Sequence, residues 1–343
     1  MNRQEVVTHI IGDRNISPRD KGVAFAPSNI ALCKYWGKRD EELNLPVTSS
    51  LSISLKNYGA QTELQLSDED RVVLNGKRVS PDDSFTQRAI RFLDLFRLDE
   101  QMRFTLTTQS NIPIAAGVAS SAAGFAALVL ALNDLFQWDL ASKELSILAR
   151  LGSGSACRSI YSGFVQWHAG CAKDGMDSYA EPLESVWSGL QVGLLTLSDR
   201  PKSIGSRAAM KRTVQTSVFY DIWTAKVKDD CAQLQNAIHQ KDFERFGTLS
   251  ESNALAMHAT MLTACPPVLY WIPQTLETIH RIWALREQGV DVYFTMDAGP
   301  NIKLLYLKET EQTIVSSFQG VQRIAPFTPT DNTVNIEDVE NLP

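Results

Sequence analysis

Residues 26–39 read APSNIALCKYWGKR. Two lysines, an arginine, an asparagine and a Tyr-Trp pair fall within this stretch, directly after the apolar, strand-like GVAFA of residues 22–26. A mobile basic patch on a surface has no use for such aromatic punctuation. The segment is read instead as holding its cations at set points near an anionic ligand. It is the first of four anion-binding signals.

The whole chain has no field that would gather a polyanion. Its 343 residues carry 33 Lys and Arg against 39 Asp and Glu, a net charge of -6. Nucleic acid and acidic membrane are therefore not expected partners. Any anion it binds must be small and held locally. The length and an apolar content of 44% allow a large core and favour two domains. Cys33, Cys157, Cys171, Cys231 and Cys265 are an odd set without a CxxC pair, which supports neither a disulfide framework nor a zinc site. The first residues lack an apolar signal-type core, and no run reaches the ~18 apolar residues of a membrane span. A cytoplasmic protein with reduced thiols is expected.

Strand-like alternation recurs at SSLSISL (49–55), QTELQL (61–66), RVVLNGKRV (71–79, with a hairpin-type Asn75-Gly76) and RFTLTTQ (103–109). FTQRAIRFLDLF between the last two has helical spacing, giving a sheet with helices on one side. VASSAAGFAALVLALNDLFQ reads as a long buried helix and SKELSILARLGSGSA as a second. GFVQWHAG and QVGLLTLS return to strand. AEPLESVWSG reads as irregular, and beyond it the chain is mostly helix from 208 to 264 and from 273 to 288, followed by strands in VDVYFTMDAGPN and IKLLYLK. A domain boundary is placed near 190, dividing the chain into 1–189, 190–330 and a polar tail, 331–343.

Three further segments carry chemistry. NIPIAAGVASSAAG (111–124) combines small residues, a helix start and the hydroxyls of Ser120 and Ser121, which suits phosphate oxygens. The bland alternative is a glycine-bearing turn before a packing helix, and the segment is not a Walker motif. GSGSACRS (152–159) lets Ser153, Ser155 and Arg158 converge on an anion, or is simply a loop between helices; it does not fit a GxSxG nucleophile elbow. TMDAGPN (295–301) ends a strand on Asp297, either a turn-capping aspartate or a general base or acid orienter. The five histidines show no ligand spacing, so no protein metal site is expected, while Mg2+ held by nucleotide phosphates stays open.

Taken together, APSNIALCKYWGKR with LNLPVTSSLSISL, IPIAAGVASSAAGFAAL, GSGSACRS and TMDAGPN resemble the diphosphomevalonate decarboxylases, a branch of the GHMP small-molecule kinase superfamily. The motifs stand in family order across residues 26–301. The resemblance implies an α+β fold, with an N-terminal domain like ribosomal protein S5 domain 2 and a ferredoxin-like C-terminal domain. It implies ATP-dependent removal of a carboxylate and the 3-hydroxyl from mevalonate 5-diphosphate, giving isopentenyl diphosphate. ATP with Mg2+ and a homodimeric assembly come with it.

By the same resemblance, Asp297 serves the 3-hydroxyl with Lys34 nearby, and Arg158 holds the substrate carboxylate while Asn29 aims its guanidinium. Tyr35, Lys38, Ser153, Ser155, Arg207 and the Met210 backbone resemble the 5-diphosphate shell. Ala116, Gly117, Val118, Ala119, Ser120 and Ser121 resemble the ATP phosphate loop, and Lys202 and Ser206 a loop that closes over the nucleotide. Trp36 is read as packing. Thr48, Ala208 and Ala209 depart from the family's usual residues. A mevalonate 5-phosphate decarboxylase and a kinase that does not decarboxylate are the alternatives.

Overall fold

The computed structural model describes residues 1–14, 17–112 and 120–327. The strand before KYWGKR is β1, Gly22–Cys33, paired antiparallel along β4, Ser50–Ser67. SSLSISL and QTELQL, expected as separate strands, are two halves of this one strand. The KNYGA between them bulges where the β1 register passes from Pro27–Gly59 to Asn29–Ser54, with Lys56 at a left-handed φ of 54° and Gly59 letting β1 approach: a Cβ there would stand 2.1 Å from the Ala26 carbonyl oxygen. Between β1 and β4 the chain makes a small ribbon of β2, Lys38–Asp40, and β3, Leu45–Pro46.

The hairpin β5, Arg71–Leu74, and β6, Lys77–Arg78, turns through Asn75 and Gly76, both at positive φ as a mirror-image turn requires. β7, Arg103–Ser110, lies between β5 and β4; β8, Phe164–Trp167, and β9, Ala180–Pro182, extend the sheet beyond β4. β9 corrects the irregular reading of AEPLESVWSG, whose first three residues pair with β8. Short polar strands of this kind carry too little alternation to stand out.

Four helices accompany this sheet: α1, Arg3–Ile11; α2, Ser84–Leu93; α3, Ser120–Phe136; and α4, Ser142–Gly152. α3 lies against β1 and β4. Its Ala123, Ala126, Ala127 and Ala131 are fully buried, and their small side chains permit a close approach. Gly22 completes that fit, since a Cβ on it would fall 2.1 Å from the Ala131 carbonyl oxygen and 2.6 Å from the Leu135 amide nitrogen.

The second sheet is antiparallel in the order β11-β12-β10-β13, from β10, Leu190–Leu195; β11, Val292–Thr295; β12, Ile302–Leu307; and β13, Gln322–Ile324. The helical stretch expected at 208–264 is three helices, α5, Ser206–Thr216; α6, Tyr220–Gln240; and α7, Phe243–Leu262. α8, Pro273–Glu287, and α9, Glu311–Ser317, follow. α7 packs on both β11 and β1. The Thr295 hydroxyl donates to the Ala31 carbonyl at 3.3 Å, so the ends of β11 and β1 are brought side by side. The cations after β1 and the acid after β11 thereby face each other.

Gly22→Ala is expected to lower unfolding stability by about 1–3 kcal/mol through overpacking of α3 on β1. Urea unfolding with an unchanged m-value is the measurement; a shift below about 0.5 kcal/mol would show that α3 can retreat at no cost.

Candidate active site

Asp297 follows β11 with its carboxylate between two ammonium groups. Lys34 Nζ is 2.9 Å from Oδ1 and Lys303 Nζ 3.3 Å from Oδ2. The lysine side chains are 2% and 1% exposed, whereas Asp297 keeps 28%, so the open side of the triad is the carboxylate. Burial alone would raise the Asp297 pKa, but Lys34 and then Lys303 outweigh it and hold the acid well below the usual carboxylate range. Burial lowers the Lys34 pKa against the opposing pull of Asp297. Lys34 is fixed from behind: its Nζ donates to the Ala31 carbonyl at 2.6 Å, and its backbone amide donates to Asn253 Oδ1 at 2.8 Å. Asn253 in turn donates to Asp230 Oδ2 at 2.7 Å, and Lys226 pairs with Asp230 at 2.6 Å.

GSGSACRS is neither plain loop nor a continuation of α4. The helix ends at Gly152, Ser153 is extended, and Gly154–Ile160 forms a 3-10 turn that brings Arg158 inward. Arg158 is 3% exposed. Its Nε and Nη2 both donate to Asn29 Oδ1, at 3.2 and 3.1 Å, and Nη1 donates to Ser50 Oγ at 2.7 Å. Asn29 is locked by donating to Ser159 Oγ at 2.8 Å. The guanidinium carbon also lies 5.8 Å from the Trp167 ring centroid. A planar cation is thus aimed by an amide before any ligand arrives.

Lys34, Asp297, Arg158 and Asn29 line one cavity of about 440 Å³. Tyr35, Lys38, Ser153, Ser155, Arg207 and Met210 line the same cavity, as do Ser121, Lys202 and Ser206. The side chains proposed from the sequence therefore share one space wherever they are described. Ala116, Gly117, Val118 and Ala119 lie outside the described residues, as does the Ser120 side chain. The Tyr35 hydroxyl is buried without a hydrogen-bond partner, and burial raises its pKa, leaving a neutral donor placed for a ligand. Lys38 Nζ donates to Asn44 Oδ1 at 2.6 Å, and Arg207 Nη2 to the Gly152 carbonyl at 3.2 Å. Lys202 Nζ reaches Ser206 Oγ at 3.4 Å. Trp36 is 3% exposed and packs in the core, as expected. Arg39 turns away to the Ala169 and Ala172 carbonyls.

Two participants escaped the sequence reading. Lys303 occupies a strand of otherwise apolar residues, and a lone lysine there was the available signal. His258 had been weighed only as a metal ligand. It is 3% exposed, and burial pushes its pKa down to about 3, so the neutral ring donates through Nε2–H to the Asp297 carbonyl at 3.0 Å. Among the described residues no group of three His, Cys, Asp or Glu gathers to hold a metal. The side chains present suit a cation brought in by nucleotide phosphates, beside Ser121 at the start of α3.

Residues 26–180 match the diphosphomevalonate decarboxylase-like N-terminal domain, and residues 192–341 the mevalonate 5-diphosphate decarboxylase C-terminal domain. The diphosphomevalonate decarboxylase of Candida albicans is 37% identical over 85% of each chain. The solved mevalonate diphosphate decarboxylase of Staphylococcus aureus superposes with a TM-score of 0.84 at 37% identity, over 89% of this chain and 95% of that one. The Enterococcus faecalis enzyme, whose structure concerns ATP binding mediated by mevalonate diphosphate, gives a TM-score of 0.80 at 39% identity, over 90% and 97%. Another solved relative, in complex with MVAPP, AMPPCP and magnesium, gives 0.83 at 39% identity, over 90% and 97%. An α+β chain of two sheets with its cations and acid turned into a shared cavity has the GHMP kinase fold. Within that class, the chain belongs to the diphosphomevalonate decarboxylase family.

Burial, then Arg207 and Arg3, lowers the Lys38 pKa to about 8. If Lys38 meets a phosphorylated ligand, the added negative charge raises its pKa again and binding takes up a proton. Affinity is then fully present below pH 8 and falls as pH rises past it, by up to about tenfold per unit until the bound pKa is reached. We expect kcat/KM for the phosphorylated substrate to decline above pH 8, and Lys38→Arg to flatten that limb. An unchanged limb in the variant would assign it to another group.

Proposed function

We propose that the chain catalyses ATP-dependent decarboxylation of mevalonate 5-diphosphate, giving isopentenyl diphosphate, ADP, phosphate and carbon dioxide. The observation that carries this reading is one cavity with two stations, a carboxylate pinned by two ammonium groups and an arginine aimed by an asparagine. The first suits a tertiary hydroxyl and the second a substrate carboxylate.

A tertiary alcohol is a poor leaving group, so it is first phosphorylated by ATP. Phosphate then departs with the bonding pair, and loss of carbon dioxide quenches the positive charge left at C3. Asp297 accepts the 3-hydroxyl hydrogen bond and points its oxygen at the incoming phosphoryl group. An acid held this far below its ordinary pKa is a weak base, so its main role is orientation, and it takes up the hydroxyl proton only as the new O–P bond forms and the bond to ADP breaks. Lys34, in contact with the same carboxylate, places positive charge where phosphoryl oxygens gather. Arg158 grips the carboxylate and keeps the C–C bond that will break in a fixed orientation. Bound Mg2+ supplies charge neutralisation on the phosphates, while Ser121, Lys202 and Ser206 are the side chains we assign to the nucleotide.

Tyr35, Lys38, Ser153, Ser155, Arg207 and the Met210 backbone are assigned to the 5-diphosphate. Their two cations and several donors match a diphosphate better than the single phosphate of mevalonate 5-phosphate. The Lys34–Asp297 pair favours decarboxylation over phosphorylation alone. We also propose the division into 1–189, 190–330 and a tail at 331–343, a homodimer, and a cytoplasmic location in keeping with five free cysteines.

ADP and carbon dioxide should be released in equal amounts from mevalonate 5-diphosphate, and kcat/KM should be higher for it than for mevalonate 5-phosphate. ADP without carbon dioxide would make the chain a kinase, and the reverse preference would favour the monophosphate. Arg158→Lys should lower turnover on the order of 10²-fold, because an ammonium lacks the planar fork. A loss under about fivefold would make Arg158 structural. Asp297→Asn should lower kcat by about 10³-fold with KM values within about tenfold. Near-normal turnover in that variant removes Asp297 from the mechanism.

A further inference from the structure

Arg88, on α2, is a half-buried cation that the functions described above leave unused. Its Nε is buried without a hydrogen-bond partner, and no carboxylate among the described residues forms an ion pair with it. Its guanidinium carbon sits 5.6 Å from the centroid of the Phe125 ring, near the start of α3. Desolvating a guanidinium and leaving an N–H unmatched is costly unless an anion completes it.

The contacts around Arg88 say where that anion lies. Phe125 is seated on Gly152: a Cβ there would come within 2.3 Å of the ring. The Gly152 carbonyl accepts the bond from Arg207, and the next residue, Ser153, lines the cavity. Arg88 thus stands behind the wall that carries Arg207. Arg207 acts electrostatically on Arg3, on Lys38 and on Arg88, in each case adding to burial in lowering the pKa. Of these four cations Lys38 and Arg207 line the cavity, while Arg3 and Arg88 stand outside its lining within electrostatic reach of Arg207. Arg3 already bonds the Glu42 carbonyl at 2.5 Å, and Lys38 and Arg207 have neutral acceptors, which leaves Arg88 as the member with unmet capacity.

We propose that Arg88 is a further binding residue for the diphosphate end of the substrate, directed at its terminal phosphate. This rests on reading the cavity as a mevalonate 5-diphosphate site. A single phosphate dianion leaves part of the cation group unmatched, whereas the extra charge of a terminal phosphate meets it. Because Arg88 does not line the cavity in the unliganded protein, the assignment requires its guanidinium to turn from the Phe125 ring towards Arg207 when the diphosphate binds. The residue recognises an anion and takes no part in the chemical step.

Phe125 is one helical turn along α3 from Ser121, a side chain assigned to the nucleotide, so the test must separate substrate diphosphate from ATP. Arg88→Met keeps the apolar stem on Phe125, and Arg88→Lys restores charge. Inorganic pyrophosphate, titrated calorimetrically without turnover, serves as the probe, alongside KM for mevalonate 5-diphosphate and for ATP. Arg88→Met is expected to weaken pyrophosphate binding and raise KM for mevalonate 5-diphosphate by about tenfold, with kcat within about threefold and KM for ATP within about twofold; Arg88→Lys should recover most of the loss. Pyrophosphate affinity and substrate KM both within about twofold of wild type would overturn the assignment. A rise confined to the KM for ATP would overturn it by giving Arg88 to the nucleotide, and equal losses in Met and Lys variants with a lowered Tm would overturn it by making the role structural. Arg88-dependent pyrophosphate binding in a protein that releases no carbon dioxide would sink the decarboxylase reading while supporting this one.

Discussion

The ion triad Lys34–Asp297–Lys303 is the interaction on which the rest of the structure depends. It joins a cation beyond β1 of the first sheet to an acid beyond β11 and a cation on β12 of the second. Two ammonium groups this deeply buried are costly to desolvate, and one carboxylate cannot neutralise both. Counted by itself the triad has an excess of positive charge, and Lys34 and Asp297 turn it towards the cavity. That excess suits a phosphoryl group in transit, and the surrounding fold sustains it. Asn253, Asp230 and Lys226 hold the Lys34 backbone, and His258 holds the Asp297 carbonyl. A neutral His258 adds an N–H without adding a third cation.

Arg158 shows the same preference for fixed charge reached by other means. It has an aiming acceptor in Asn29 where the triad has a counter-ion, so its charge is oriented but not cancelled. A carboxylate opposite it would have formed an ion pair in place of a binding site. An amide fixes the fork and leaves the charge for a ligand.

Much of this site was legible in the sequence because its segments are short and chemically dense. KYWGKR, GSGSACRS and TMDAGPN each place a functional side chain beside glycine, serine or aromatic residues that have local reasons to be there. The long helix α3 and the Asn75-Gly76 hairpin were readable for the same reason, since helix periodicity and turn chemistry act within a few residues. Lys303, His258 and Asn253 acquire their roles only through contacts that span the two sheets. Lys34 and Asp297 are 263 residues apart, and no local pattern states that distance. The single long β4 was missed because its bend at Lys56 and Gly59 resembles a turn until β1 is seen to follow it.

The two ends of the cavity divide the work in a way their charges explain. At the Asp297 end the groups are buried and immobilised, so any displacement would disturb the reacting atoms. At the Lys38 and Arg207 end the cations are held by neutral acceptors, Asn44 and the Gly152 carbonyl, and remain free to meet an anion. Binding energy from a phosphorylated tail can then hold the far hydroxyl and carboxylate at their stations without itself touching the reaction. Burial, and after it repulsion from Arg207 and Arg3, lowers the pKa of Lys38 in the unliganded protein. On the proposed assignment, discrimination by phosphate-chain length falls to Lys38 and Arg207 and not to the Lys34–Asp297 pair.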